Sequence, residues 1–292
     1  MEHVISYFNA IFTLSIFEMK KYLSTKDYFY SKESFDLLYD EDLDILVTSP
    51  IPENLDYYYN SDEYISHTDG KRDLISKVYN CVKKNQLLKK AKLIEVHSSK
   101  GRRLLDVGAG TGDFLNIMNS RNWIVEGVEP SKQARAKAIA KGIQLNENLS
   151  STITNKYDAI TLWHVLEHLP NLKDDIKLLS NILDKDGVLI IALPNYRSWD
   201  AKEYQEHWAA YDCPRHLWHF SQQSIISLFK PYGLKLIAMK PMLYDAYYIS
   251  LLSERYKTGT SNYLRAVLNG TRSNINGFFN KQYSSQIYIL KR

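Results

Sequence analysis

The chain has 292 residues, 45% of them hydrophobic, enough for one large domain or a domain with an appendage. Its 37 basic and 33 acidic residues leave a net charge of +4, too small a surplus to make nucleic acid the main partner. Two cysteines, Cys81 and Cys213, exclude a disulfide framework and a four-thiolate zinc site, and point to a reducing, cytoplasmic compartment.

In chain order, the apolar run VISYFNAIFTLSIF (4–17) comes first. It is shorter than the roughly 20 residues that span a bilayer. It has neither a basic leader nor a small-residue cleavage site, so it does not read as a signal peptide. It is expected to be a strand pair or a helix within an N-terminal cover region, residues 1–72, with no membrane partner. That region is rich in Tyr, Asp and Ser and has no clear periodicity. Residues 73–100 predict an amphipathic helix, with Leu74, Val78, Cys81, Val82, Leu88 and Ala91 on one face. Lys83, Lys84, Lys89 and Lys90 are expected to be solvated.

Apolar runs at 104–107, 123–128, 157–163 and 187–193 then alternate with helical patterns at 111–120, 131–141 and 171–183. Ser131 and Asn171 suit helix N-caps and Gly142 a C-cap. Fully apolar strands alternating with helices predict a doubly wound α/β sheet covered on both faces, with ligands at the carboxyl ends of its strands. Runs at 234–242 and 284–291 predict an antiparallel last strand pair. Helical stretches near 244–254 and 262–269 lie between them, in an insertion spanning 244–280 of a main domain covering 73–292.

The first apolar run opens a glycine turn, LLDVGAGTGDF (104–114), with Gly108, Gly110 and Gly112. A dinucleotide turn places its third glycine three residues after the second, whereas here the interval is two and Asp113 follows at once. A carboxylate there is a poor neighbour for a pyrophosphate on the helix N-terminus, although it is also an ordinary first-turn acid. A ligand carrying a sulfonium and an ammonium would not be opposed, and Asp106 favours the same ligand. Glu129 ends the second strand, 21 residues after Gly108, where a carboxylate can accept from both hydroxyls of a ribose.

These stretches, with VEP (128–130), YDAITLWHVLEHLPN (157–171) and DKDGVLIIALPN (184–195), resemble the class I S-adenosylmethionine-dependent methyltransferases over roughly residues 100–240 and the last strand. WHVLEH (163–168) together with CPRHLWHFS (213–221) is similar to the subgroup catalogued as Methyltransf_23. The resemblance implies a seven-stranded Rossmann-like sheet and S-adenosylmethionine as cofactor. Asp106, Gly108, Ala109, Gly110 and Gly112 would then line the cofactor, with Asp106, Gly108 and Gly110 at its methionine end. Glu129 would hold the ribose, Pro130 and Ser131 would lie near the adenine, and Trp163 and His164 near the sulfonium. Asn146 and Glu147 both remain open as the adenine contact. TSPIPENLDYYYNSDEYISH (48–67) resembles a segment that in relatives follows a small zinc ribbon. Here YDEDLD (39–44) stands where a cysteine knuckle would be, so no zinc is expected.

Methyl transfer needs alignment above all, and a base only where the acceptor loses a proton. His164 ranks first as that base and His216 second. His164, Glu167 and His168 have the i, i+3, i+4 spacing of a metal set, but the resemblance includes relatives in which a Leu-Glu-His sequence binds no metal and bonds to nearby backbone, and no metal is expected. The segment 202–221 should hang over the carboxyl edge of the sheet, with Ser221 as the cap of a helix over 222–230; the rest reads either as a packed lid, with Trp218 and Phe220, or as substrate contacts, with Tyr211, Arg215 and His219. The leading expectation is a methyltransferase acting on O or N of a small-molecule acceptor. The alternatives are a nicotinamide-dependent oxidoreductase and a non-catalytic cofactor-binding subunit.

Overall fold

The computed structural model describes residues 19–59, 74–98, 101–152 and 156–292. The apolar run at 4–17, and part of the 48–67 segment, lie outside them. The chain divides into two compact units. One is built, among the described residues, from 74–98, 101–152, 156–193, Leu228–Lys240 and Gln286–Arg292. The other combines 19–59 with Pro194–Ser227 and Pro241–Ser285.

The first unit carries the α/β sheet. A long helix, α1 (Leu74–His97), precedes β4 (Arg103–Val107), α2 (Asp113–Ser120), β5 (Ile124–Val128) and α3 (Lys132–Ile139). There follow β6 (Tyr157–Trp163), α4 (Leu172–Ile182) and β7 (Leu183–Pro194), then β9 (Lys235–Pro241) and β10 (Ser285–Lys291). The strand order is β5-β4-β6-β7-β10-β9, and β4 runs parallel to both β5 and β6. Six strands are present among the described residues, where seven were expected. The segment after α3 is polar (QLNENLS) and contributes only a single parallel bridge, Val128 to Asn146. It lacks the β-branched and aromatic residues that hold a strand on a pleated surface.

The core explains why these runs are strands and helices. Leu104, Leu105, Ile160, Leu189 and Ile190 are fully buried, as central parallel strands require. On α4, Leu172, Ile176, Leu179 and Ile182 repeat every three to four residues and all are buried. Each such side chain contributes about 1.5–3 kcal/mol of burial. Ser131 caps α3 by accepting from Ala134 N–H. The apolar run at 187–193 extends in the structure to Leu183–Pro194, with Asp-Lys-Asp-Gly (184–187) inside the start of β7. On α1, Ala91 and Ile94 are buried, while Leu88, expected on the same face as Ala91, is exposed. Among the described residues no helix is long and apolar enough to cross a membrane.

The second unit is organised around an antiparallel sheet of β1 (Lys20–Lys26), β2 (Ser34–Asp40), β3 (Ile45–Ser49) and the short β8 (Trp218–His219). Its helices are α5 (Trp199–Tyr204), α6 (Gln222–Phe229), α7 (Leu243–Thr258) and α8 (Tyr263–Asn280). The compact units therefore do not follow the expected boundary at residue 72. Phe35, Leu37 and Leu46 share one core with Tyr204, Trp208, Tyr211 and Ile249, and that common core binds three stretches of chain together.

Two aspartates hold this unit. Asp44 accepts from Tyr39 Oη (2.9 Å), Tyr196 Oη (2.9 Å), Arg197 Nε (3.0 Å) and Ser221 Oγ (2.5 Å). Burial opposes its ionisation, but those four partners outweigh it and hold the carboxyl at about 2. Asp27 accepts from the N–H groups of Phe29, Tyr30 and Ser31, closing the β1–β2 loop, and pairs with Arg215 Nη2 at 3.0 Å. The stretch 39–44, expected in place of a metal knuckle, is thus fastened by an acid that gathers hydroxyls and a guanidinium.

Candidate cofactor and acceptor site

The site begins where β4 ends. Val107 and Val128 stand side by side in the parallel register, so the chain leaves both strands at one edge of the sheet. Gly108 and Ala109 both donate to Val128 O, at 2.8 and 2.9 Å, which folds the turn back against β5. Gly108, Gly110 and Gly112 all have positive φ (71°, 53° and 73°), a backbone region open to glycine at little cost. Their surroundings differ. A Cβ on Gly108 would lie 2.3 Å from Val165 Cγ2, whereas one on Gly110 would meet nothing within 4 Å. Gly108 is required by packing, and Gly110 is the open face of the turn. Ala109 and Gly112 are buried and shape the turn from beneath.

Glu129 completes this face. Its Oε2 accepts from Gly110 N–H and its Oε1 from Ser131 N–H, each at 2.9 Å. A carboxylate has about four lone-pair sites, so two remain for a ligand. Arg135 donates to the carbonyls of Glu129 and Pro130, and through Nη2 to Glu147 at 3.0 Å. Glu147 is therefore engaged with Arg135, and Asn146 carries the backbone bridge to Val128. Pro130 is exposed beside them.

Asp106 lies directly below the turn. It is 2% exposed and accepts from Thr161 Oγ1 at 2.6 Å, the two residues being paired across β4 and β6. Burial raises its pKa to about 7, against the opposing pull of Thr161 and Lys90. Lys90 was expected to be solvated. Its Nζ instead stands 4.3 Å from the centroid of the Trp163 ring. Trp163 also meets Phe114 edge-on at 5.8 Å. The sequence offered a signal that went unused: Lys90 adjoins Ala91 and follows Leu87 by three residues, on the edge of the buried stripe.

Asp113 bears on the choice of ligand less than its position in the sequence suggests. Lys141 Nζ pairs with its Oδ1 at 2.5 Å, so its charge is largely offset. What still disfavours a pyrophosphate is the glycine spacing and the buried acid Asp106, whose charge Lys90 only partly offsets.

His164 follows β6 with φ of 58°, a left-handed conformation that costs a non-glycine residue roughly 1–2 kcal/mol. Its N–H donates to Ala192 O at 3.0 Å, and its Nδ1 lies 3.4 Å from Oε1 of the buried Glu167. Strained backbone of this kind collects at functional positions.

The structure gathers Asp106, the three glycines, Glu129, Trp163 and His164 in the sheet-bearing unit, at the carboxyl ends of β4, β5 and β6. Tyr211, Arg215, His216 and His219 belong to the other unit. There Arg215 is 1% exposed, and its guanidinium is taken up by Asp27, by Asp212 (Nη2 at 2.6 Å, Nε at 3.0 Å) and by Tyr58 O at 3.2 Å. An acceptor carboxylate has no route to a charge already enclosed in this way, so the expected substrate role of Arg215 is replaced by a structural one. Tyr211 is equally buried, with its ring edge-on to Trp208 at 4.9 Å. His219 is buried 3.0 Å from Thr48 Oγ1, whose own hydrogen goes to His216 O. Its Nε2 is therefore the donor to Thr48, and burial, with His216 beside it, drives its pKa well below the usual value. Both residues are buried within the unit and pack its interior. His216 is half-buried, with Nδ1 at 2.9 Å from Ala210 O. Ser221 caps α6, accepting from Ser224 N–H at 3.0 Å.

A Rossmann-like sheet with a glycine turn, and an acid closing the next strand, defines a nucleoside-binding α/β protein. The family model described as "Methyltransferase domain" (Methyltransf_23) matches residues 75–239, more than half of the chain, and the chain belongs to that family. It is 32% identical over 109 residues to the ubiquinone biosynthesis O-methyltransferase of Glaesserella parasuis, covering 32% of this chain and 46% of that protein. To the enzyme of the same name from Idiomarina loihiensis it is 25% identical over 171 residues, covering 53% and 70%. The chain spans about half the length of the first curated relatives it matches. Magnesium protoporphyrin IX methyltransferase from Synechocystis PCC 6803, solved with S-adenosylhomocysteine, shares the fold: TM-score 0.53, 14% identity, 81% of this chain and 97% of that one.

Proposed function

We propose that the protein transfers a methyl group from S-adenosylmethionine to an oxygen or nitrogen of a small-molecule acceptor. The observation that carries this reading is the Glu129 carboxylate, held open toward the glycine turn by Gly110 N–H and Ser131 N–H. Its remaining lone pairs suit the two hydroxyls of a ribose. Gly110, with nothing around its Cβ position, lets a ligand approach the backbone. Asp106, buried below, ionises at a cost that a nearby cationic ligand would lower and a pyrophosphate would raise. Family membership, and relatives named as O-methyltransferases, support the same reaction class.

When bound, S-adenosylmethionine supplies an electrophilic methyl group on a sulfonium. The work left to the chain is alignment, which in well-oriented systems is worth roughly 7–11 kcal/mol. We assign His164 the proton of a hydroxyl acceptor. Its ring would be oriented at Nδ1 by Glu167, and that carboxylate would steady the imidazolium once the other ring nitrogen takes the proton. Trp163, braced by Phe114 and Lys90, would wall the site and keep water from it. His216 is the second candidate for the base.

The test is a thermal-shift comparison. A ligand that binds only the folded state raises its stability by RT ln(1 + [L]/Kd), so S-adenosylhomocysteine should raise the melting temperature and NAD should not. Stabilisation by NAD with no effect of S-adenosylhomocysteine would overturn the reading.

A further inference from the structure

The outer face of α8 is apolar where a helix of its kind is normally polar. Ala266, Asn269, Gly270, Ser273 and Gly277 repeat every three to four residues and are buried. Gly270 lets α7 come close, since a Cβ there would lie 2.7 Å from the Tyr247 ring. Directly opposite that buried stripe stand Leu264, Val267, Leu268, Ile275, Phe278 and Phe279, between 48% and 78% exposed. Scattered exposed apolar residues are ordinary, but six large ones along one side of an 18-residue helix form a continuous patch. Arg265 and Arg272 fall between this patch and the buried stripe at 100° per residue.

Charge narrows the occupant. From 255 to 281 the chain carries Arg255, Lys257, Arg265, Arg272 and Lys281, all exposed, and no acidic residue. On α7 the two acids are Glu254, buried against Tyr204 and Asn269, and the half-buried Asp245. A second copy of the chain meeting this face about a two-fold axis would set one basic cluster against another. An anionic bilayer surface accepts both features, the apolar side chains at the headgroup boundary and the basic ones against lipid phosphates. We propose that α8 is a membrane-surface docking element that holds the protein on anionic lipid without crossing the bilayer.

The test is flotation of the full chain with vesicles of phosphatidylcholine alone, or of phosphatidylcholine with roughly 30 mol% phosphatidylglycerol, enough anionic lipid to attract a basic surface. The protein should float with the anionic vesicles, and much less with the neutral ones. Leu268→Asp with Phe279→Asp should weaken binding by on the order of tenfold or more, and Arg265→Glu with Arg272→Glu should abolish the preference for anionic lipid. All four side chains are exposed, so the melting temperature should be unchanged, and that is measured alongside. Failure of the native chain to bind either vesicle would overturn the proposal. Equal flotation of the native chain and both variants would also overturn it, because the contact would then lie elsewhere. A concentration-dependent dimer that the Asp variant dissolves, with no vesicle binding, would assign the face to a second copy instead.

Discussion

Replacing Glu129 tests the cofactor site most directly. Glu129→Ala removes an acceptor bonded on both oxygens, to Gly110 N–H and to Ser131 N–H, each at 2.9 Å. Gly110 is half-buried and Ser131 exposed, so water can take over both donors, and the loss of folding stability should stay below about 1 kcal/mol. Binding should suffer far more. Hydrogen bonds to a charged group are worth about 1.5–3 kcal/mol, which converts to a Kd for S-adenosylhomocysteine raised about 10- to 150-fold. Glu129→Gln is the sharper variant. An amide presents one oxygen and one NH2, so its nitrogen must face one of the two backbone N–H groups, donor against donor. Gln should therefore lose nearly as much as Ala, although it keeps the size and shape of the native side chain. Titration calorimetry on both variants, with circular dichroism to check folding, measures this. An affinity within about twofold of native for either variant would mean that the ribose is not held here.

The remaining predictions concern charge and backbone. Asp106, raised to about 7 by burial, binds a proton in the folded protein between about pH 4 and 7 that the unfolded chain has already released. Its contribution to stability therefore falls as pH rises through that window, and Asp106→Asn should flatten the melting-temperature profile there while S-adenosylhomocysteine affinity loses its rise near pH 7. Gly108→Ala adds a contact at 2.3 Å to positive-φ strain and should cost more than about 2 kcal/mol in urea unfolding. Gly110→Ala has strain alone and should cost about 1 kcal/mol, with its main effect on cofactor affinity. Arg215→Met leaves Asp27 buried without its cation, and should cost about 3–5 kcal/mol with no specific effect on cofactor binding in the protein that remains folded.

Legibility followed the source of each element's stability. The strands and helices from 103 to 194 carry their own signals, because fully buried strands are apolar throughout and α4 repeats its leucines and isoleucines at helical spacing. The glycine turn could be read because its backbone needs glycine, and Glu129 because it stands at the end of an apolar run 21 residues after Gly108. β1 and β2 could not. KKYLSTK and SFDLLYD bury only alternate residues on one face, and they hold together through Asp27, Asp44 and aromatic rings supplied from residues 196–211. The fate of Arg215 was hidden for the same reason. Its aspartate partners sit at 27 and 212, and nothing near 215 announces that Asp27 will enclose it. α7 and α8 were read too short, since the small residues Gly270, Ser273 and Gly277 that mark the packing face of α8 weaken the helical pattern while allowing close approach.

Asp106 and Glu129 end neighbouring strands, yet their surroundings give them opposite characters. Glu129 accepts from two backbone donors and has lone pairs to spare for neutral hydroxyls. Asp106 has one hydroxyl partner and almost no access to solvent, and its ionised form is costly in the absence of a counter-charge. Lys90 supplies part of that counter-charge through the field, but burial still prevails. A site that combines the two favours a ligand with a diol at one end and a positive charge a few bonds away. NAD meets the first condition and brings a pyrophosphate toward the second. S-adenosylmethionine meets both, and each ammonium or sulfonium near the turn would lower the cost of ionising Asp106. We propose that the buried acid acts as a selectivity device: its cost to the folded protein builds from about pH 4, is complete above pH 7, and would be recovered by a ligand that brings a cation beside it.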